Sequence, residues 1–309
     1  MEIVRGNKQQ QLQTQRHLDK LRATLPYDEF SKKTINTRFD YWINSPEAQE
    51  RINVPLFKEV AAATETKIQV YDPNFQLLPF DRYVLGKVDP EDVDTGGFNS
   101  RYSRGFKYLT NVGYATLLNN RYTDNANLVT VELARSYLHD SIHAACFRTI
   151  RLLPEGISSK FLVYREQYGV NFRRANGSSY SAPYTAEESP EHINLGVLMD
   201  GITVLMTAEK LRPYTTQISR AELNDMEKTI LADIDLNFAQ LSGTYKGKGF
   251  HDQVTVPSQK FISYWGGDQL YELLKSSMLT GKMREVVKHF DNKAKTNNAW
   301  VKIFKVDSY

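Results

Sequence analysis

Cysteine is almost absent from this sequence. The 309 residues include one, Cys146, which excludes an intrachain disulfide and any zinc site built from several cysteines. A chain without disulfides suits a reducing compartment, and we therefore expect residence in the cytoplasm. Delivery elsewhere by a secretion route that leaves no classical signal stays open.

Long hydrophobic runs are also missing. No stretch approaches the roughly 18 consecutive apolar residues that a membrane-spanning helix requires. The N-terminal sequence MEIVRGNKQQQLQTQRHLDKL is polar and lacks the apolar centre of a signal peptide. The sequence therefore predicts no membrane partner and no secretory signal.

The chain also lacks an excess of one charge. Its 39 basic and 36 acidic residues leave a net charge of +3, so a chain-wide basic field for nucleic acid or membranes is not indicated. Hydrophobic residues make up 41% and charged residues 24%, as in folded proteins. We expect a globular protein long enough for one large domain or two smaller ones.

What the sequence does contain is helical periodicity with a few short extended segments. The predicted helices are 8–25, 28–43, one from Pro46 toward Ala63 that Pro55 kinks or splits, 128–153, 190–212, 219–240 with a capping box at Ser219 and Glu222, 267–280 and 282–295. The predicted extended segments are a strand at 67–71, a hairpin over 160–184 with its turn at 175–177, and a short strand near the C-terminus. The predicted fold class is α+β, mainly helical with a small β-hairpin or sheet around a central helix.

The first 65 residues look like a separate helical layer. We therefore expect an N-terminal layer at 1–65 and a main α+β domain at 66–309, although one continuous domain is also compatible with the sequence.

The sharpest chemical signal lies in the predicted helix at 128–153. His139 and His143 are four residues apart, so a helix presents both imidazoles on one face, about 6 Å apart at the backbone. Both rings can then bind one metal ion, and Asp140 follows the first histidine directly. The alternative is a structural pair, with both histidines packed beside the apolar stripe of the helix.

The segment His139-Asp140-Ser141-Ile142-His143 resembles the H-E-x-x-H helix of zincin-type zinc metallopeptidases. The resemblance covers five residues and departs from the family at Asp140, which is one methylene shorter than glutamate. It implies Zn²⁺ as cofactor, His139 and His143 as ligands, Asp140 as the group that positions or deprotonates the attacking water, and a protein or peptide substrate.

A zinc site needs a third protein ligand, and Asp200 is our candidate. It is the only charged residue between Ile193 and Ala208, and a carboxylate in so apolar a helix is costly unless it is paired or binds a metal. The alternative is a buried salt bridge to an arginine. The candidate partners for this salt bridge are Arg148, Arg165 and Arg173.

Other side chains are weaker candidates. Glu166 and His192 are reserve ligands, His251 lies in a glycine-rich loop that could close over a site, and Tyr168 and Tyr180 could donate hydroxyls to a bound oxyanion. Cys146 lies about 10 Å along the helix from His139 and is expected to be a small buried side chain.

Two other functions remain open from the sequence. Tyr137-Leu138-His139-Asp140 is similar to the metal-binding doublet of HD-type phosphohydrolases, which need an upstream histidine; the only one here is His17. Residues 101–108 and 172–174 interleave cations with aromatic rings, as in single-strand nucleic-acid binders. The alternative to the hydrolase is therefore a non-catalytic nucleic-acid-binding or assembly protein with structural histidines.

Overall fold

A computed structural model gives the architecture of the chain. It describes residues 2–23, 36–86, 97–98, 114–116, 125–157, 162–172, 175, 189–234 and 250–304. Helices dominate these residues and strands are few and short, which confirms the predicted α+β class. None of the helices in these ranges is long and apolar enough to cross a bilayer.

Most helices fall close to the predicted positions. The helices of the described residues are α1 (Lys8–Ala23), α2 (Phe39–Trp42), α3 (Pro46–Arg51), α4 (Val54–Ile68), α5 (Ala126–Ala145), α6 (Leu195–Thr215), α7 (Asp225–Ile234), α8 (Phe250–Trp265), α9 (Gly267–Thr280), α10 (Arg284–Ala294) and α11 (Ala299–Phe304), with short 3-10 turns at Phe80–Arg82 and Arg220–Glu222. Helix α8 is an element that the sequence reading missed.

The strands form two small sheets. The strands are β1 (Glu2–Val4), β2 (Asn36–Arg38), β3 (Val84–Gly86), β4 (Gly97–Phe98), β5 (Tyr114–Thr116), β6 (Arg148–Leu152), β7 (Val163–Tyr168) and β8 (Asn171–Phe172). One sheet has the order β1-β6-β7-β8 and the other the order β2-β3-β5-β4. In the first sheet β1 runs parallel to β6, whereas β6, β7 and β8 are antiparallel neighbours.

Prolines and caps explain why the third predicted helix is divided. Pro46 and Pro55 each stand in the first turn of a helix, where a missing N–H costs nothing. Ser45 caps α3 by accepting a hydrogen bond from the Ala48 amide, and Asn53 caps α4 through the Leu56 amide. The predicted split at Pro55 is confirmed.

Helix α5 lies between two hydrophobic clusters. Its N-terminal part, from Leu128 to Leu138, packs with α2, α3, α4 and α7. Its C-terminal part, with Ile142, packs with α6, α8, α9, α10 and α11, as does Cys146 directly after the helix. The first of these clusters contains residues from both sides of position 65, the expected domain boundary. Helix α5 is buried over most of its surface.

Helix α6 is apolar nearly all round and lies against both α5 and α8. The contact with α8 depends on Gly201, because a Cβ at that position would overlap the Ser258 side chain and lie 2.6 Å from the Val254 carbonyl oxygen. Close approach of these helices fixes the position of the neighbouring Asp200.

The predicted strand at 67–71 is wrong. Residues 67 and 68 complete the last turn of α4, and a turn follows. A strand would bury Ile68 and Val70 on one face, but Ile68 is fully buried while Val70 is 82% exposed. Alternation over five residues did not distinguish a helix end from a strand.

The predicted helix at 128–153 ends earlier than expected. It stops at Ala145, and Cys146 has an extended backbone with φ −51° and ψ 140°. Arg148–Leu152 then forms the central strand β6, paired with β7. A short apolar run with β-branched residues is ambiguous between helix and strand in sequence, and sheet pairing decides it here.

Two further β predictions differ from the structure. The hairpin turn in the described residues lies between β7 and β8, where Gly169 has φ +55°, a conformation that glycine adopts without strain. The turn expected at 175–177 lies mostly outside the described residues. The expected C-terminal strand is wrong for residues 299–304, which form α11 and bury Trp300 and Phe304.

Candidate metal centre

The centre begins with the histidine pair on α5. Asn125 caps this helix by accepting a hydrogen bond from the Leu128 amide at 3.1 Å. His139 and His143 lie one turn apart near its C-terminal end, and their rings meet edge to face with centroids 4.6 Å apart. The predicted presentation of both imidazoles on one side of the helix is therefore confirmed.

Helix α6 brings Asp200 to the same place. Its Oδ1 lies 2.7 Å from His143 Nε2 and 3.7 Å from His139 Nε2. One ligand atom from each of the three residues lies within 4.8 Å of the other two. His139, His143 and Asp200 therefore form a group that could hold a metal ion.

The donor set and its spacing fit such an ion. Two imidazole nitrogens and a carboxylate oxygen are common zinc ligands, and bond lengths of about 2.1 Å place tetrahedral ligand atoms about 3.4 Å apart. The separation of 3.7 Å between His139 and Asp200 is close to that value. The separation of 2.7 Å between His143 and Asp200 suits a shared proton, and it would widen by about 0.7 Å around zinc.

Exposure differs across the three residues. The His143 side chain is 6% exposed, whereas those of His139 and Asp200 are 20% and 24% exposed. The group is thus closed behind His143 and partly open beside the other two. A catalytic zinc site requires such an open side for water and substrate.

Tyr168 lies behind His143. Its hydroxyl oxygen is 2.8 Å from the His143 carbonyl oxygen and 3.2 Å from His143 Nδ1. The sequence reading expected Tyr168 to act on a bound oxyanion, whereas its hydroxyl contacts the ring nitrogen that faces away from Asp200.

Two buried arginines support this part of the structure. Arg148 donates to the main-chain carbonyls of His143 and Ala144 at the end of α5, a favourable place for a cation because helix carbonyls concentrate negative partial charge there. The Arg165 guanidinium lies over the Tyr168 ring at 4.0 Å. Arg173, the third arginine considered as a partner of Asp200, lies outside the described residues.

Asp140 is buried, and its surroundings include Tyr83. The Tyr83 hydroxyl donates to the Tyr137 carbonyl oxygen and contacts Ser141 Oγ. Desolvation, and to a lesser extent the Asp140 charge, raise the pKa of Tyr83 well above its ordinary value. The Asp140 carboxyl therefore lies close enough to this buried tyrosine to act on it electrostatically.

Cys146 has the environment expected of a small buried side chain. Its Sγ donates to the Ile142 carbonyl oxygen at 3.3 Å. Burial raises the pKa of the thiol to about 12. A thiol that stays protonated at neutral pH is a poor metal ligand.

The reserve candidates lie elsewhere or outside the described residues. Glu166 pairs with Arg151 at 2.6 Å and with Arg5 at 3.4 Å. His192 is exposed, with its Nδ1 3.2 Å from the Ile303 carbonyl oxygen. His251 lies in the first turn of α8, but its side chain lies outside the described residues, as does Tyr180.

Neither alternative function gains a described site. His17 lies on α1, where burial and then Lys20 lower its pKa, and it is not one of the three clustered residues. Residues 101–108 and 173–174 lie outside the described ranges. The nucleic-acid-binding alternative therefore stays a prediction.

The sequence did not predict that Tyr168 and Arg148 both contact the His143 carbonyl oxygen. They are cross-strand partners in the β6–β7 register. Because the strand at 148–152 was taken for helix, that pairing could not be derived. The available signal was the β-branched run Thr149-Ile150 shortly after an apolar helix.

Comparisons with protein-family models, with curated proteins and with solved structures find no match for this chain.

Proposed function

We propose that this protein is a metal-dependent hydrolase in which His139, His143 and Asp200 bind one zinc ion. The proposal rests on one observation, the convergence of three ligand atoms from helices α5 and α6 within 4.8 Å. Catalytic zinc sites commonly have three protein ligands of these types and keep a fourth position for water or substrate.

Each residue of the centre has a distinct part in this proposal. His143 and Asp200 hold the ion between the two helices, and His139 completes the set on the more exposed side. Zinc, when bound, lowers the pKa of a coordinated water and polarises a carbonyl oxygen. Asp140 is proposed to position that water or accept its proton, a role supported by the zincin-like sequence of residues 139–143.

The proposed substrate is a peptide bond in a protein or peptide. This part of the proposal is supported by the resemblance of residues 139–143 to the zincin helix. Its competitor is a structural role, in which His143 and Asp200 share a proton and no metal binds.

Metal content separates these two roles. We expect about one zinc per chain in protein purified without an affinity tag, and loss of that zinc in His139→Ala and His143→Ala. The control is His192→Ala, because this exposed histidine contacts a carbonyl oxygen outside the cluster. Absence of stoichiometric metal from the wild type, or retention of it by both cluster variants, would overturn the proposal.

Catalysis is tested with a peptide library and mass-spectrometric detection of new termini. We expect cleavage by the zinc-loaded protein that stops on chelation and returns with zinc. Asp140→Asn should lower the rate by roughly 10²–10⁴-fold, the usual contribution of a positioned acid or base, with zinc content unchanged. Undiminished cleavage by this variant would remove Asp140 from the mechanism.

A further inference from the structure

The Tyr168 hydroxyl makes two contacts with one residue. Its oxygen lies 2.8 Å from the His143 carbonyl oxygen and 3.2 Å from His143 Nδ1. A carbonyl oxygen can only accept, so the single hydroxyl hydrogen points toward it. The phenol oxygen is then left to accept, and the hydrogen of the second contact must come from Nδ1.

This assignment determines which nitrogen is available for a metal. With hydrogen on Nδ1, Nε2 is the nitrogen that can give up its hydrogen and offer a lone pair to a metal. That nitrogen is the one that faces Asp200 Oδ1 at 2.7 Å. Metal-binding histidines typically donate their other ring N–H to a neighbouring acceptor, which fixes tautomer and ring rotation together.

We propose that Tyr168 is a positioning residue of the metal centre, which holds His143 as the Nδ1–H tautomer with Nε2 directed at the ion. The inference rests on the proposed metal site and deepens it. Tyr168 acts through His143 and does not contact the substrate, which replaces the oxyanion role expected from the sequence.

The sheet holds Tyr168 in this position. The residue ends β7 and is 3% exposed, so its ring has little room to rotate. The Arg165 guanidinium lies 4.0 Å from the ring centroid, on one face. Arg148, the cross-strand partner, donates at 3.2 Å to the same His143 carbonyl that the hydroxyl contacts. Strands β6 and β7 thus hold Tyr168 against His143, while helices α5 and α6 carry the proposed ligands.

The test compares Tyr168→Phe with the wild type by titration of metal-free protein with Co²⁺, whose visible absorption reports ligand geometry. We expect affinity to fall about 10–100-fold, the usual loss when such a supporting contact is removed, with a shifted absorption band. Tyr71→Phe is the matched control, because it removes a tyrosine hydroxyl bonded to Glu272 outside the cluster. It should bind Co²⁺ as the wild type does.

The outcomes distinguish this inference from the proposed function. Unchanged affinity and absorption in Tyr168→Phe, with normal binding by the wild type, would overturn the positioning role alone. Failure of the wild type to bind Co²⁺ would overturn both.

Ring-nitrogen NMR of metal-free protein gives a second readout that does not depend on metal. With His143 assigned through His143→Ala, we expect its Nδ1 to carry hydrogen in the wild type. A ring protonated on Nε2 alone would overturn the inference.

Discussion

At the scale of single residues, both ring nitrogens of His143 contact other side chains. Nε2 contacts Asp200, Nδ1 contacts Tyr168, and the side chain is 6% exposed. His139 is more exposed and lies farther from Asp200, at 3.7 Å. Although both are proposed ligands, they should therefore differ in their contribution to stability.

His143→Ala should lower the free energy of unfolding of the metal-free protein by about 1–3 kcal/mol, because it leaves buried partners without their hydrogen bonds. His139→Ala should cost less than His143→Ala, since the His139 side chain is 20% exposed and that of His143 6%. Urea unfolding of both variants measures the difference. An equal or larger loss in His139→Ala would contradict this account of the contacts.

Cys146 should be unreactive while the protein is folded. Its thiol is buried and has a pKa raised to about 12 by burial, and only the thiolate is strongly nucleophilic. We expect negligible alkylation by iodoacetamide at pH 8 and complete alkylation in denaturant, measured by intact mass. Rapid modification of native protein would show that this end of α5 is open.

The three clustered residues could be predicted from sequence because each leaves a local trace. Helical spacing indicated His139 and His143, and a lone carboxylate in an apolar helix indicated Asp200. The contact between Tyr168 and His143 leaves no such trace, because it depends on the register of β7 against β6. Register is set by pairing across the sheet and not by neighbours in sequence.

At the scale of elements, helix starts show what local sequence can and cannot decide. The capping box predicted at Ser219 and Glu222 does not form the start of α7, and Ser219 makes no side-chain cap. The reciprocal bonds are made instead by Asn224 and Glu227, at 2.8 and 2.9 Å. Two similar four-residue patterns stand close together, and the second one forms the cap.

Asn224→Ala should therefore destabilise the protein by about 1 kcal/mol, the usual cost of losing an N-cap. Ser219→Ala is the matched control and should change stability by less than about 0.5 kcal/mol, as at other exposed sites. The midpoints of chemical unfolding measure both. A larger loss in Ser219→Ala than in Asn224→Ala would contradict the observed cap.

The element boundaries that failed have a common cause. Residues 67–71 and 148–152 are short segments whose apolar pattern fits both helix and strand. The long helices at 195–215, 267–280 and 284–294 were predicted well because they contain several turns of consistent periodicity. Short segments take their structure from neighbours that the sequence order does not reveal.

At the scale of the whole molecule, α5 joins the two hydrophobic clusters and carries the histidine pair beside their junction. The clusters also bury titratable groups that stay neutral in the fold. Desolvation raises the pKa of Tyr83 and of Tyr271 well above the ordinary value, with further increases from Asp140 and Glu209 respectively. Folding therefore competes with their ionisation.

The free energy of unfolding should fall at alkaline pH. A group whose folded pKa is raised contributes stability below its unfolded pKa and loses it as the pH rises, because the unfolded state then releases its proton first. With unfolded values near 8.5 for cysteine and 10 for tyrosine, we expect the free energy of unfolding to decline from about pH 9 upward. Urea unfolding at pH 8 and pH 10.5 measures it. Equal stability at the two pH values would contradict the burial of these groups.

The central claim is that two histidines and one aspartate from α5 and α6 bind one zinc ion. X-ray absorption at the zinc edge of the zinc-loaded protein tests it most directly. The account predicts a first shell of two imidazole nitrogens and light oxygen ligands at about 2.0–2.2 Å, without sulfur, and loss of the imidazole signal in the His139→Ala/His143→Ala double variant. A first shell of oxygens alone, or one that contains sulfur, would contradict it.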